Sequence, residues 1–208
     1  MAGSNHISTR IISFFLFFTL MFLASDAQVK SAPENPKWTR KANGVWLVAA
    51  GKPEGFNLTS HLQLTPKFSA INSMADAPVP FKREELKVEL HDGKTYIRFP
   101  LDKGEKIYGL GLNFKTVEQR GRLLRLHMDH YDGVDNGRNH APVPFFVSSK
   151  GYGAFINTAR YIDVYVGTGV RKDSKNPPKV YDRNTDKEWT AEPYSDNLEI
   201  LVPAQGIE

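Results

Sequence analysis

The stretch Leu86-Lys87-Val88-Glu89-Leu90-His91-Asp92-Gly93-Lys94-Thr95-Tyr96-Ile97-Arg98-Phe99 decides the fold class. Leu86, Val88 and Leu90 alternate with Lys87 and Glu89, and Tyr96, Ile97 and Phe99 resume beyond His91-Asp92-Gly93-Lys94. Lys and Glu in Lys82 to Leu90 would suit a helix, but the apolar positions recur every two residues and not every three or four. The reading is therefore strand throughout. Asp-Gly between two alternating runs is the strongest short-range signal for a hairpin.

Outward from this hairpin the same pattern repeats. Further strands are expected at Val45 to Ala49, Lys106 to Tyr108, Leu123 to Leu126, Phe145 to Ser148, Gly153 to Ile156, Tyr161 to Val166 and Leu198 to Val202. Between them stand Gly109 and Gly111, Gly133 and Gly137, Lys150-Gly151, Gly167 and Gly169, and Pro177-Pro178. Strands spaced by about 8 to 12 residues, punctuated by Gly and Pro, indicate an all-β antiparallel sandwich or barrel. Ser31 to Lys37 carries two prolines and reads as an extended lead-in. No internal repeat or linker divides the chain.

The 208 residues contain 27 Lys+Arg, 23 Asp+Glu and no cysteine, for a net charge of +4. The absence of cysteine excludes a disulfide scaffold, a thiolate zinc site and a Cys nucleophile. The basic residues are dispersed, so no nucleic-acid footprint is expected. At the start, Ile11 to Leu23 is almost wholly apolar, follows Arg10 and precedes Ala24-Ser25-Asp26-Ala27. This reads as a signal peptide, residues 1–27, cleaved near Ala27; the run is shorter than the roughly 17 to 25 residues of a membrane span. A mature domain over residues 28–208, secreted or periplasmic and free of the membrane after cleavage, is the expectation. An uncleaved anchor is the alternative.

Chemistry concentrates in one place. The loop His127 to Pro144 (HMDHYDGVDNGRNHAPVP) gathers Asp129, Asp132, Asp135, three histidines, Tyr131, Asn136, Arg138 and Asn139. The aspartates step by three where a helical-hand calcium loop alternates its ligands, and His127 and His130 on an extended segment do not face one ion. A structural metal, a solvated loop and a sugar-binding loop remain open, the last because Asp, Asn, Arg and an aromatic suit hydroxyl pairing and pyranose stacking.

Other motifs carry less. Glu105-Lys106-Ile107-Tyr108-Gly109-Leu110-Gly111 is a turn, since no helix follows to face a phosphate. Trp38, Trp46 and Trp189 could form a stacking platform, although Trp46 lies in an apolar strand and reads as core. Arg120 to Arg125 reads as a strand with a solvated face. Asn57-Leu58-Thr59 matches a glycosylation acceptor. Glu84-Glu85, as strand neighbours, point to opposite faces and cannot flank one bond.

Three segments together resemble the N-terminal β-sandwich of glycoside hydrolase family 31: Glu105 to Gly111, Leu126-His127-Met128-Asp129 with its polar loop, and Pro144-Phe145-Phe146-Val147-Ser148-Ser149-Lys150-Gly151-Tyr152-Gly153-Ala154-Phe155. They occur in family order and at similar spacing, and Leu198 to Glu208 is similar to the family's last sandwich strands. The later part, with Asn176-Pro177-Pro178, looks most like bacterial members. Departures exist: no Glu follows Gly-Leu-Gly, and His127-Met128 replaces an aromatic and Asn. The sandwich also resembles the sugar-mutarotase superfamily, but without a clear His and Glu pair.

The resemblance implies an exo-acting, retaining α-glycosidase, such as an α-glucosidase, α-xylosidase or α-galactosidase, acting on an α-linked oligosaccharide or glycoside without metal or organic cofactor. The family's catalytic (β/α)8 barrel, itself typically about 250 residues, has no counterpart here. It is expected in cis, beyond a last strand left incomplete at Glu208, and no catalytic carboxylate can be named. By the same resemblance Asp129 contacts substrate, with Asp132 and Arg138 beside it. The alternatives are a free-standing secreted carbohydrate-binding sandwich and an interaction domain without ligand.

Overall fold

The computed structural model describes residues 32–91, 93–112, 116–128, 139–167 and 197–208. In chain order the strands are β1 (Ala32–Glu34), β2 (Lys37–Ala42), β3 (Val45–Gly51), β4 (Lys87–His91), β5 (Lys94–Pro100), β6 (Ile107–Gly109), β7 (Arg122–Leu126), β8 (Phe145–Ser148), β9 (Gly153–Phe155), β10 (Ile162–Val166), β11 (Asn197–Val202) and β12 (Gly206–Ile207). They form a six-stranded sheet in the order β1-β4-β5-β11-β10-β7 and two three-stranded sheets, β12-β3-β2 and β6-β8-β9. All these strand pairs are antiparallel.

Alternation places one face of the large sheet inward. Val88, Ile97 and Phe99, Leu198, Ile200 and Val202, Ile162, Val164 and Val166, and Leu124 and Leu126 share a single core with Ile107, Leu110, Phe146, Ala50 and Ile207 from the smaller sheets. Each fully buried aliphatic side chain stabilises this packing by about 1.5–3 kcal/mol relative to exposure. Aromatic edges bridge the layers: Phe99 meets Phe146 at 5.3 Å and 85°, and Phe81 meets Tyr152 at 5.3 Å and 72°. The deciding hairpin is β4–β5, with His91 opposite Lys94 and Gly93 at φ +69.

Every strand expected from alternation is present within one or two residues. Four local readings are corrected. The lead-in forms β1, whose Pro33 lies opposite Glu89 at the sheet's edge, where a missing N–H is tolerated, and it ends at Lys37, where the unforeseen strand β2 begins. The reading of Lys82 to Leu90 as strand fails at its start: Arg83–Glu85 is a 3-10 turn in which the Glu85 carboxylate accepts from the Lys82 N–H at 2.7 Å.

The solvated face expected for Arg120 to Arg125 shrinks over β7 to Arg125 alone, because Arg122 and Leu123 are buried like Leu124. The Arg122 guanidinium donates to Gln119 Oε1 at 2.8 Å, which lets an arginine occupy a covered position. Trp46, finally, stands outside the core. It is half-buried opposite Arg40, with the Arg83 guanidinium 3.9 Å from its ring centroid and 5.3 Å from that of Trp38. There a cation covers the indole instead of a second apolar layer.

The chain's tail runs through the middle of the fold. β11 has β5 on one side and β10 on the other, and β12 adds to β3 alone. The buried Thr95 hydroxyl donates to the Ala204 carbonyl at 2.7 Å and ties the turn after β11 to the large sheet. Residues 1–27, read as a leader, lie outside the described residues. No helix among the described residues is long and apolar enough to cross a membrane.

Candidate functional site

The polar loop leaves the fold at the end of β7 and returns just before β8. Asp129, Asp132 and Arg138 fall within residues 129–138, outside the described residues, as do Tyr131 and Asp135. What the structure defines is the root of the loop and the elements that hold it.

The root is pinned by the turn Gly109-Leu110-Gly111. All three residues have positive φ, at +97, +64 and +97. A non-glycine residue rarely adopts this region, and Leu110 is held there by its surroundings: it is fully buried, its N–H donates to the Phe145 carbonyl at 2.8 Å, and its own carbonyl accepts from Asn139 Nδ2. The flanking glycines are required twice over. A Cβ on Gly109 would stand 2.7 Å from the Phe145 carbonyl oxygen, and one on Gly111 would collide with the Ala141 carbonyl oxygen. The chains approach so closely because Leu112 pairs with Ala141, its N–H donating at 3.0 Å.

The two arms of the loop also meet each other. Met128 pairs with Asn139, and the Asn139 N–H donates to the His127 carbonyl at 3.3 Å. Asn139 is fully buried, and its Oδ1 has no hydrogen-bond partner among the described residues. The arm at β7 carries an aromatic contact, with His127 and Tyr161 rings 4.1 Å apart at 31° and Tyr161 63% exposed. Beside it, on the large sheet's outer face, Arg125 lies 3.7 Å from Asp163. Burial pushes the Asp163 carboxyl up, against the opposing pull of Arg125 and Lys94. Burial likewise pushes the Tyr165 hydroxyl up to about 12.

A second polar cluster fixes the other end of the turn. The buried Glu105 carboxylate accepts from Ser148 Oγ through one oxygen and from the Asp102 N–H at 2.8 Å through the other. Burial, reinforced by the Glu105 charge, raises the Tyr152 hydroxyl above its ordinary range. Glu105 thus ties the segment entering β6 to β8, on the side of β6 away from the Gly109-Leu110-Gly111 turn.

Sequence reasoning placed the polar residues in one loop but missed Asn139 as its anchor and Tyr161 as the partner of His127. Neither has a local signature, since each acts across a non-local bridge. The Asn57-Leu58-Thr59 motif is also committed: Asn57 is buried and caps the one-turn helix Leu58–His61, accepting from the Ser60 N–H at 2.9 Å. Among the described residues no group of three His, Asp or Glu side chains is placed to hold a metal ion.

A family model described as the glycosyl hydrolase 31 N-terminal galactose mutarotase-like domain matches residues 19–164. An alpha-xylosidase of Emericella nidulans is 30% identical over 116 residues, covering 52% of this chain and 13% of that protein. Alpha-xylosidase XylQ of Lactiplantibacillus pentosus is 32% identical over 81 residues, 38% of this chain and 10% of that protein. Among solved structures, the GH31 dextranase of Flavobacterium johnsoniae complexed with glucose aligns with a TM-score of 0.48 at 14% identity, over 86% of this chain and 24% of that one. The cycloalternan-forming enzyme of Listeria monocytogenes, in complex with a pentasaccharide substrate, aligns with a TM-score of 0.37 at 13% identity, over 83% and 20%. The matched stretches thus span between a tenth and a quarter of the relatives' lengths. The chain belongs to the glycosyl hydrolase 31 N-terminal galactose mutarotase-like domain family.

Proposed function

We propose that this chain is the N-terminal sandwich of an exported, retaining exo-α-glycosidase, and that its polar loop shapes the sugar site of a catalytic barrel joined in cis. The observation that carries the reading is the family match over residues 19–164. Retaining chemistry needs two carboxyl groups about 5–5.5 Å apart, one attacking the anomeric carbon and one protonating the leaving oxygen. Those groups belong to the barrel. The sandwich contributes a loop whose root cannot shift, so that Asp129, with Asp132 and Arg138 beside it, pairs sugar hydroxyls at the barrel's mouth. Tyr161 and His127 offer an aromatic edge at the described root of that loop, and an aromatic beside polar side chains is the combination that polyol sites use.

The test is to read the gene past the Glu208 codon. An open frame of several hundred codons containing a Trp-x-Asp-Met-Asn type motif, whose product cleaves an aryl α-glycoside, is the expected result. Within that product Asp129→Ala is expected to raise KM more than it lowers kcat. A stop codon immediately after Glu208 would overturn the reading. Sugar binding by the chain itself, measured by titration calorimetry and lost in Asp129→Ala, would then favour a free-standing binding module.

A further inference from the structure

The outer face of the β6-β8-β9 sheet breaks the alternation rule. On an exposed antiparallel sheet the outward positions are ordinarily polar. Here they are Tyr108, Phe145, Val147 and Phe155, with Phe145 opposite Phe155 and Val147 opposite Tyr108. Phe145, Val147 and Phe155 are 41%, 41% and 47% exposed, so among the described residues no further layer closes over them. The outer face of the large sheet is different: it carries Lys87, Arg98, Arg125 and Asp163 together with Glu199, Tyr96, Tyr165 and Leu123, and these last four are buried.

The aromatic face is also built, not incidental. A Cβ on Gly153 would stand 2.8 Å from the Phe146 carbonyl oxygen and 3.2 Å from the Phe145 ring, so the glycine admits both the neighbouring strand and that ring. Two further exposed apolar residues lie between this strand and the loop root: Val143, whose carbonyl accepts from the Phe145 N–H at 2.7 Å, and Leu112, which pairs with Ala141.

Size decides what can cover it. The exposed parts of these side chains amount to about 300–500 Å², the size of the largest apolar patch on a typical monomer, which is often functional. That is well below the roughly 800 Å² per partner of a stable bimolecular interface. It suits a domain tethered to the same chain, for which an effective concentration of about millimolar replaces the missing area. In the two alpha-xylosidases the matched stretch is 13% and 10% of the protein, so most of each lies in other parts of the same chain.

We infer that Tyr108, Phe145, Val147 and Phe155 form the docking face for a second domain of the same polypeptide, one that presents apolar surface. A domain docked there abuts Val143 and Leu112 and holds the polar loop's root at its own edge. The inference rests on the proposed function and names the surface by which the sandwich meets its catalytic partner.

The experiment compares the chain ending at Glu208 with the product read through the gene's own stop codon, by hydroxyl-radical footprinting. In the shorter chain Tyr108, Phe145 and Phe155 are expected to label freely, and sedimentation is expected to give a monomer at micromolar concentration. In the longer product the same rings are expected to label several-fold less. Phe155→Lys with Val147→Thr should restore labelling of Phe145 there while lowering the shorter chain's melting temperature by only a few degrees, the loss of one cross-strand aromatic pair. An active longer glycosidase with these rings still freely labelled would overturn this inference alone. A stop codon after Glu208 would remove it together with the proposed function. A dimer of the shorter chain that Phe155→Lys dissolves would assign the face to a second copy and overturn the tethered partner.

Discussion

Asn139 donates from its Nδ2 to the carbonyl oxygen of Leu110, 29 residues earlier in the chain, and both residues are sealed from solvent. This bond joins the left-handed turn before the polar loop to the arm by which the loop returns. Leu110 keeps its positive φ because its N–H, its carbonyl and its side chain are all engaged.

Asn139→Ala leaves the Leu110 carbonyl buried without a donor, which costs about 1–3 kcal/mol. At about 2–4 °C per kcal/mol for a domain of this size, melting followed by circular dichroism should fall by several degrees. Asn139→Asp matches the shape but replaces the donor with a buried carboxylate. It should destabilise more at pH 7 than at pH 3, and equal loss at both would refute the assigned bond.

Gly111→Ala and Gly151→Ala separate backbone strain from collision. Both glycines have positive φ, but a Cβ on Gly151 meets nothing within 4 Å, whereas one on Gly111 meets the Ala141 backbone. Gly151→Ala should cost about 1 kcal/mol, from φ alone. Gly111→Ala should cost more than about 3 kcal/mol or fail to fold, judged by urea unfolding midpoints. Similar midpoints for the two variants would contradict the close approach at the loop root.

Asp163 makes the fold's stability depend on pH in a stated direction. Burial raises its folded pKa above the ordinary 3.8. The stability it contributes is therefore full below that ordinary value and is lost as pH rises through the raised one. Asp163→Asn removes the buried charge and should raise the melting temperature at neutral pH while changing little at pH 3. A lower melting temperature at neutral pH would mean that the 3.7 Å pairing with Arg125 outweighs desolvation.

Asn57 should behave as a helix cap. Asn57→Ala loses the bond to the Ser60 N–H and should cost about 0.5–2 kcal/mol, while Asn57→Ser, which keeps an acceptor, should cost a few tenths. Equal melting temperatures for the two variants would remove the capping role.

How much of this was legible depends on the range of the interaction that decides each feature. Val88, Ile97, Leu124, Val164 and Ile200 announced themselves because a strand buried on one side writes its period into the sequence. Pro33 hid β1, since a proline argues against a strand except at an edge, and edge position belongs to the sheet. Trp46 was misread as core because an apolar strand looks the same whether its far side meets another layer or a guanidinium such as that of Arg83. Arg122 misled in the opposite sense: an arginine reads as solvated until Gln119 Oε1 is found beside it.

The candidate site divides along the same line. Clustering of Asp129, Asp132 and Arg138 in one loop is a property of adjacency and was visible at once, as was the family signature around Gly109-Leu110-Gly111 and Pro144-Phe145. Asn139 as anchor, the His127–Tyr161 contact and the exposed Phe145–Phe155 pair depend on residues brought together from distant parts of the chain.

The sequence by itself determined the strand period, the hairpin at Asp92-Gly93, the position of the polar loop and the family, because these follow from local sterics, alternation and motif order. Only the tertiary structure decided which strands are edges, which outward face lacks a cover, and what holds the loop's root. Those are set by loop closure and by the geometry of packed layers, in which a residue's partner is chosen by the fold and not by its neighbours in the chain.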